Sequence, residues 1–453
     1  MSEIQDSKPI AADFALEAEW LATVDANNSV LEKSTLIIKD DKILDILPTR
    51  QARQRYCAAE VVPLSEHLLI PGLINAHGHA AMSLLRGYAD DLPLHTWLED
   101  HIWPAESEFV SPEFVYDGSL VAIAEMIATG TTCFADMYFF PEATARAVQS
   151  SGIRAYLAPP VFDFPNNWTT SADESLQAIE GLAAETRDMP LITTAIGPHA
   201  PYTVSCESFS NIVNAKHQHR CGVQVHCHET ETEIEGSLKE HGQRPLARLA
   251  ELGLIDQDTQ LVHMTQVNDE DLATLEKHRP SIVHCPKSNL KLASGFSPVQ
   301  TFLDRGLNVA LGTDGAASNN SLDMFSEMQY AALLAKAVSG NVSAVDAATA
   351  LRMATINGAK ALGLDNITGS LEVGKQADIV AINMRNPHQW PLYSPLSALV
   401  YTLGSPRVNE VWIAGKRAVK NGTLLNFEQS TLVNIQRKWH QKLTEFQNTQ
   451  QRA

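Results

Sequence analysis

The 453 residues are 44% hydrophobic and 19% charged, with a formal charge of −19. This suits a chain with a large buried core and argues against nucleic acid or an anionic membrane as partner, since both need clustered cations. That length exceeds one small domain and fits a large barrel with an accessory unit.

From about 10 to 68, short strand-like runs alternate with charged turns, as in STLIIK and KILDIL, and no helical period appears. A small antiparallel β unit is expected there. The same texture returns in GSLEVGKQADIVAIN and VNEVWIAGKRAV. One β-sandwich built from both chain ends, over 1–68 and 366–425, is the economical reading. Between them, over 69–365, apolar strands at 69–75, 131–136, 154–158, 191–197, 223–226, 260–263, 281–284 and 308–313 alternate with helical segments. The helices fall at 113–128, 171–185, 207–217, 244–252, 269–277 and 299–305. Eight such units predict an α/β fold, a (β/α)8 TIM-like barrel. Residues 80–112 are too long for a simple connection and read as a lid. The tail, 426–453, reads as a C-terminal helix on the outside. Cysteines are scattered without a C-x-x-C pair, and the opening MSEIQDSKPIAADF has no apolar signal core. Reduced thiols and the cytoplasm are therefore expected.

In such a barrel the chemistry gathers at the C-terminal ends of the strands. The first strand runs into LIPGLINAHGH, where His77 and His79 stand two apart. Alternate strand residues point the same way, so this pair makes half of a metal site. His199 follows the fourth strand, His226 ends the fifth, His263 the sixth and His284 the seventh, and Asp314 follows the eighth. Each alone could be a turn former or a core histidine. Together they describe one pocket.

The stretches LIPGLINAHGH, GPHAPY, HCHETETE, LVHMT, HCPKSNLKLASG and LGTDGAASNNSLDMF resemble the amidohydrolase superfamily, and more closely its 5-methylthioadenosine/S-adenosylhomocysteine deaminase branch. The resemblance covers nearly the whole chain. It implies one divalent metal on His77, His79, His226 and Asp314, with zinc favoured and Fe(II) or Mn(II) fitting the same ligands. Asp314 is then expected to carry a proton from the nucleophilic water to the leaving amine, and Glu229 to protonate the purine ring. His263 is expected to orient the nucleophile and stabilise the tetrahedral intermediate. Trp97 and His199 would line the nucleoside pocket and Glu106 would accept from the two ribose hydroxyls. His228 is expected to point away, Glu231 and Glu233 read as solvated loop charges, and His284 could line the pocket without an assigned role.

The partner so implied is a small aminopurine nucleoside, and a homo-oligomer is compatible with it. Branch members that handle S-adenosylhomocysteine well present arginines from the loops after strands three and four. Here Arg187 is the one arginine between Ala155 and Ala200, and it and Arg154 fall at the other face. Methylthioadenosine is therefore the expected better substrate, ahead of S-adenosylhomocysteine or adenosine. A guanine deaminase or triazine hydrolase shares the metal residues and is the first alternative. A non-catalytic metal-binding barrel is the second.

Overall fold

In the computed structural model, which describes residues 9–402 and 408–450, eight short parallel strands carry the centre of the chain. They are β1 Leu73–Asn75, β2 Thr131–Asp136, β3 Arg154–Leu157, β4 Ile192–Thr194, β5 Val223–Cys227, β6 Thr259–His263, β7 Ser281–His284 and β8 Asn308–Leu311. β2, β3, β5, β6 and β7 are buried at every position, as strands covered on both faces must be. β1 to β4 form one parallel arc and β5 to β8 another. Ile196 joins them at one seam, its N–H donating to the Gly222 carbonyl (3.1 Å) and its carbonyl accepting from the Gln224 N–H (3.0 Å). At the other seam the Ala76 N–H donates to the Leu311 carbonyl (2.9 Å) and the Asp314 N–H to the His77 carbonyl (3.1 Å). The arcs thus close into the expected barrel.

The period of two along a strand decides what faces the inside. On β5, Val223, Val225 and Cys227 join the core shared with the surrounding helices, while Gln224 and His226 turn inward to meet His77. Gly312, just past β8, runs so close to β1 that a Cβ there would lie 2.9 Å from three atoms of His77. A side chain at that position would push the two strand ends apart.

Strand four is shorter than its apolar run, and Gly197–Pro198 pairs separately with Pro160–Val161. Pro160 and Pro198 lack the N–H that a longer ladder needs. The helices beyond those expected include Pro141–Ser151, Glu231–His241 and Met324–Ser339, with shorter ones such as Thr49–Arg55 in the N-terminal β unit and Ala347–Met353. Glu231–His241 buries only Glu233, Ile234 and Ser237, too thin an apolar stripe to show as a period. The lid folds as short helical turns, Ala80–Leu85, Leu94–Thr96, Trp97–Ile102 and Trp103–Phe109.

Both chain ends meet in one eight-stranded mixed sheet. Ile10–Ala22 pairs with Val30–Lys39 and, in parallel, with Tyr56–Pro71, which in turn pairs with Ile379–Asn383. Twist rolls the sheet on itself. Phe14 stacks on Trp412 at 6.2 Å although two strands separate theirs, and Lys42 bridges to Gln376. The last helix, Gln429–Gln450, is mostly polar and buries only Ile435, Trp439 and Leu443. Those three, four residues apart, make one stripe that packs against the lid.

Candidate active site

Three imidazoles and a carboxylate converge at the C-terminal mouth of the barrel. Each ring is fixed by its Nδ1: His77 to the Gln224 side-chain carbonyl (2.7 Å), His79 to the Met137 carbonyl (2.7 Å) and His226 to the His199 carbonyl (2.6 Å). Gln224 is itself held, its amide nitrogen donating to the Ala76 carbonyl at 3.0 Å. Carbonyl oxygens only accept, so each Nδ1 carries the proton and each Nε2 lone pair is left facing inward. The Nε2 atoms of His77 and His226 lie 3.1 Å apart, and candidate ligand atoms of His77, His79 and His226 all lie within 4.8 Å of one another. Two facing lone pairs at that separation repel unless a cation is shared between them. The donor set therefore fits a divalent metal of the imidazole-binding kind.

Asp314 completes the cluster. Its Oδ1 lies 3.2 Å from His79 Nε2 and 3.6 Å from His77 Nε2, and its Oδ2 accepts from the hydroxyls of Ser288 (2.6 Å) and Ser318 (3.1 Å). Burial would raise this carboxyl, but the facing His77 and His79 imidazoles hold it well below the usual range. Burial and neighbouring imidazoles push His226 far down, so it stays neutral and able to ligate.

A cavity of about 550 Å³ opens over this cluster. Eight of the nine residues singled out from the sequence line it: His79, Trp97, Glu106, His199, His226, Glu229, His263 and Asp314. His77 lies fully buried beneath them. Glu229, just past β5, accepts at Oε1 from the Ser294 hydroxyl (3.2 Å), and its Oε2 faces His263 Nε2 at 3.8 Å. His263 is held from behind by Asn289 Oδ1, 2.8 Å from its Nδ1. Trp97 is buried in the lid, and Glu106 accepts at Oε1 from the Tyr138 hydroxyl (2.6 Å). Burial pushes the Glu106 carboxyl up to about 7 against the lowering effects of Tyr138 and His79. His199 lies against Phe162 with centroids 4.5 Å apart, and burial with the nearby imidazoles drives it down to about 3. Toward the mouth the wall is Phe139, Phe162, Phe164, Pro165, Asn166 and Asn167, and no Lys or Arg is among the described lining residues.

The remaining expectations divide. His228 is buried away from the cavity, its Nδ1 donating to the Gln266 carbonyl (3.0 Å) and its Nε2 accepting from the Leu246 N–H (3.0 Å). His284 ends β7 as expected, but it borders a separate small cavity behind the barrel mouth rather than the main one. Arg154 sits at the opposite end of β3, in a buried ion pair with Asp378 at 3.0 Å. Glu231 is exposed, but Glu233 is not a solvated loop charge: it is buried, and its two oxygens accept from the backbone N–H groups of His228 (2.9 Å) and Glu229 (2.8 Å). Its sequence signal was the Thr230-x-x-Glu233 spacing, which marks a helix start whose glutamate reaches back to free N–H groups. Asp136 and Gln224 were missed as well. Asp136 holds the Ala80 N–H at 2.7 Å beside His79. Their signal was a polar side chain inside a strand buried on both faces.

A closed α/β barrel with convergent imidazoles and a carboxylate at its C-terminal mouth defines a metal-dependent barrel hydrolase. The chain belongs to the amidohydrolase family, whose sequence model matches residues 68–418. It is 49% identical over 431 residues to a 5-methylthioadenosine/S-adenosylhomocysteine deaminase of Teredinibacter turnerae, covering 95% of this chain and 98% of the relative. It is also 40% identical to a 5'-deoxyadenosine deaminase of Methanosarcina acetivorans, covering 93% of this chain and 96% of that one. Among solved structures, an adenosine deaminase from Xanthomonas campestris with bound zinc superposes with a TM-score of 0.95 at 44% identity, covering 96% of this chain and 100% of the other.

Proposed function

We propose that this chain is a metal-dependent hydrolytic deaminase of adenine nucleosides, with 5'-methylthioadenosine its best substrate. The observation that carries the reading is the cavity itself, where Glu229 on the barrel and Glu106 on the lid face one space floored by the His77, His79, His226 and Asp314 cluster. His77, His79, His226 and Asp314 would hold one divalent ion, zinc by the imidazole-rich donor set and by the zinc of the Xanthomonas relative. When bound, that ion supplies the Lewis acidity that makes water nucleophilic near neutral pH.

The chain's own residues do the rest. Glu106 accepts the two ribose hydroxyls, with Tyr138 fixing one of its oxygens. Trp97 and His199 wall the base and sugar. Glu229 gives its proton to N1 of the purine as the C6–O bond forms. Asp314 takes one proton of the water and returns it to the amine, the C6–N bond breaks and ammonia leaves. The second water proton replaces the one Glu229 gave, so the ring keeps its N1–H and the carboxyl is restored. His263, anchored by Asn289, orients the nucleophile and stabilises the tetrahedral carbon.

A largely aromatic, uncharged mouth, with no Lys or Arg among its described lining residues, favours a neutral thioether tail over the charged homocysteine tail, whose carboxylate would find no cationic partner beside Phe162 and Phe164. No helix among the described residues is long and apolar enough to cross a membrane. The described cysteines are all unpaired, which suits the reducing cytoplasm. The test is ammonia release from methylthioadenosine, S-adenosylhomocysteine, adenosine and guanine by protein of measured metal content. Methylthioadenosine is expected to give the highest kcat/KM, with activity following metal. Turnover of guanine alone overturns the nucleoside reading, and a higher kcat/KM for S-adenosylhomocysteine overturns the tail preference.

A further inference from the structure

Glu229 follows a strand that ends abruptly. His228 has φ +55°, so the chain turns sharply and leaves the N–H groups of His228 and Glu229 without ladder partners at the floor of a low-dielectric pocket. A side chain that must meet a ring nitrogen to within a fraction of an ångström is then carried by a turn rather than by a strand.

We propose that Glu233 is a positioning residue for Glu229, its buried carboxylate clamping the turn that aims the proton donor at the purine. The clamp has two ends. One Glu233 oxygen accepts from the His228 N–H at 2.9 Å and the other from the Glu229 N–H at 2.8 Å. On the far side the Thr265 hydroxyl donates to the Glu229 carbonyl at 2.6 Å. Both backbone polar groups of Glu229 are thus held, and Ser294 takes Oε1. A hydroxyl donating to Oε1 directs the transferable proton to Oε2, the oxygen on the His263 side. Glu233 is itself rooted in the helix Glu231–His241, its own N–H donating to the Thr230 hydroxyl at 3.3 Å. The anchor is therefore a helix start and not another loop. Charge-assisted bonds to backbone N–H groups are stronger than neutral ones, and Glu233 is buried where it makes them.

This inference rests on Glu229 being the proton donor, and a double-mutant cycle separates the two claims. Metal-loaded Glu229→Gln, Glu233→Ala, Glu233→Gln and Glu229→Gln/Glu233→Ala proteins are compared with the unaltered chain in methylthioadenosine deamination. Hydrogen exchange of the peptide spanning 226–234 is followed alongside. Glu233→Ala is expected to lower kcat by about tenfold to a hundredfold with KM and metal content kept. It is also expected to expose the amides of 228 and 229 to exchange. Glu233→Gln, which can accept only one of the two N–H groups, falls between. In the Glu229→Gln background the second substitution costs nothing further, because a residue that acts through Glu229 has nothing left to act on. Full additivity, or an unchanged kcat in Glu233→Ala while Glu229→Gln is impaired, overturns the clamp. Normal turnover in Glu229→Gln overturns the donor assignment and the clamp with it.

Discussion

Glu106 and Glu229 both line the cavity, and the proposed function gives them opposite tasks. Glu229→Gln keeps the shape and removes the proton, so turnover of methylthioadenosine should drop by about two orders of magnitude or more while KM and bound metal stay. Steady-state kinetics on metal-analysed protein checks this, and surviving turnover moves the proton donor elsewhere. Glu106→Ala removes a charged acceptor for two hydroxyls, a loss of about 1.5–3 kcal/mol in binding. KM for nucleosides should therefore rise by about tenfold or more. Burial holds Glu106 up at about 7, and only its ionised form accepts from both hydroxyls. KM should rise as pH falls through about 7, and that limb should vanish in Glu106→Gln. A KM that is flat across this range returns Glu106 to the lid's scaffold. Most of the cavity residues were readable because side chains able to ligate stand at or near the ends of apolar strands, as His226 does after Val225. Asn289 and Ser288 were not, because each makes a hydrogen bond to a group that only the closed barrel brings near, whereas Glu233 reaches N–H groups four and five residues back and carried the local Thr230-x-x-Glu233 signal.

At the scale of elements, the strands were legible for a reason that also hid some helices. Burial on both faces writes itself as an unbroken apolar run, whereas Glu231–His241 touches the barrel with a few residues and looks like loop. The C-terminal helix Gln429–Gln450 was expected on the outside, and its contacts give it a share in the lid. Trp439 packs edge-on against Phe114 at 4.9 Å and Phe109 at 6.3 Å, and its Nε1 donates to Asp117 at 2.8 Å. Ile435, Trp439 and Leu443 belong to the same cluster as Trp97, Ile102 and Ala105. Phe109 ends the helix Trp103–Phe109 that carries Glu106, so this stripe packs behind the lid wall of the cavity. Trp439→Ala should loosen the lid and raise KM for nucleosides several-fold, with kcat and metal content near those of the unaltered chain. Trp439→Phe keeps the ring contacts and should recover most of the loss. Comparison of KM with kcat across the two variants checks this, since a general loss of folded protein lowers kcat per chain and leaves KM alone. An unchanged KM in Trp439→Ala leaves the helix as outer packing only.

For the whole molecule, the mouth of the barrel holds the cavity and the imidazole cluster, and the opposite end ties the barrel to the sheet of chain ends. Arg154 starts β3, and its guanidinium meets Asp378 through Nε (3.3 Å) and Nη2 (3.0 Å), with Gln376 Oε1 accepting a third bond at 2.6 Å. Asp378 also accepts from the Ala414 N–H at 2.6 Å. Both side chains are almost wholly buried, at 2% and 0% exposed, so neither charge has water to fall back on. Removing one partner strands the other, which costs about 3–5 kcal/mol, whereas removing both replaces a desolvated pair by packing. Arg154→Met should lower the unfolding free energy by that amount, seen as a lower denaturant midpoint, and Arg154→Met/Asp378→Leu should recover much of it. The pair lies at the N-terminal end of β3, away from His79 and Glu229, so kcat of the folded fraction should not change in either variant. Equilibrium unfolding read beside activity separates the two ends. An unchanged midpoint would show that barrel and sheet hold together without this pair, and a lost kcat in folded protein would show that the base of β3 controls the mouth.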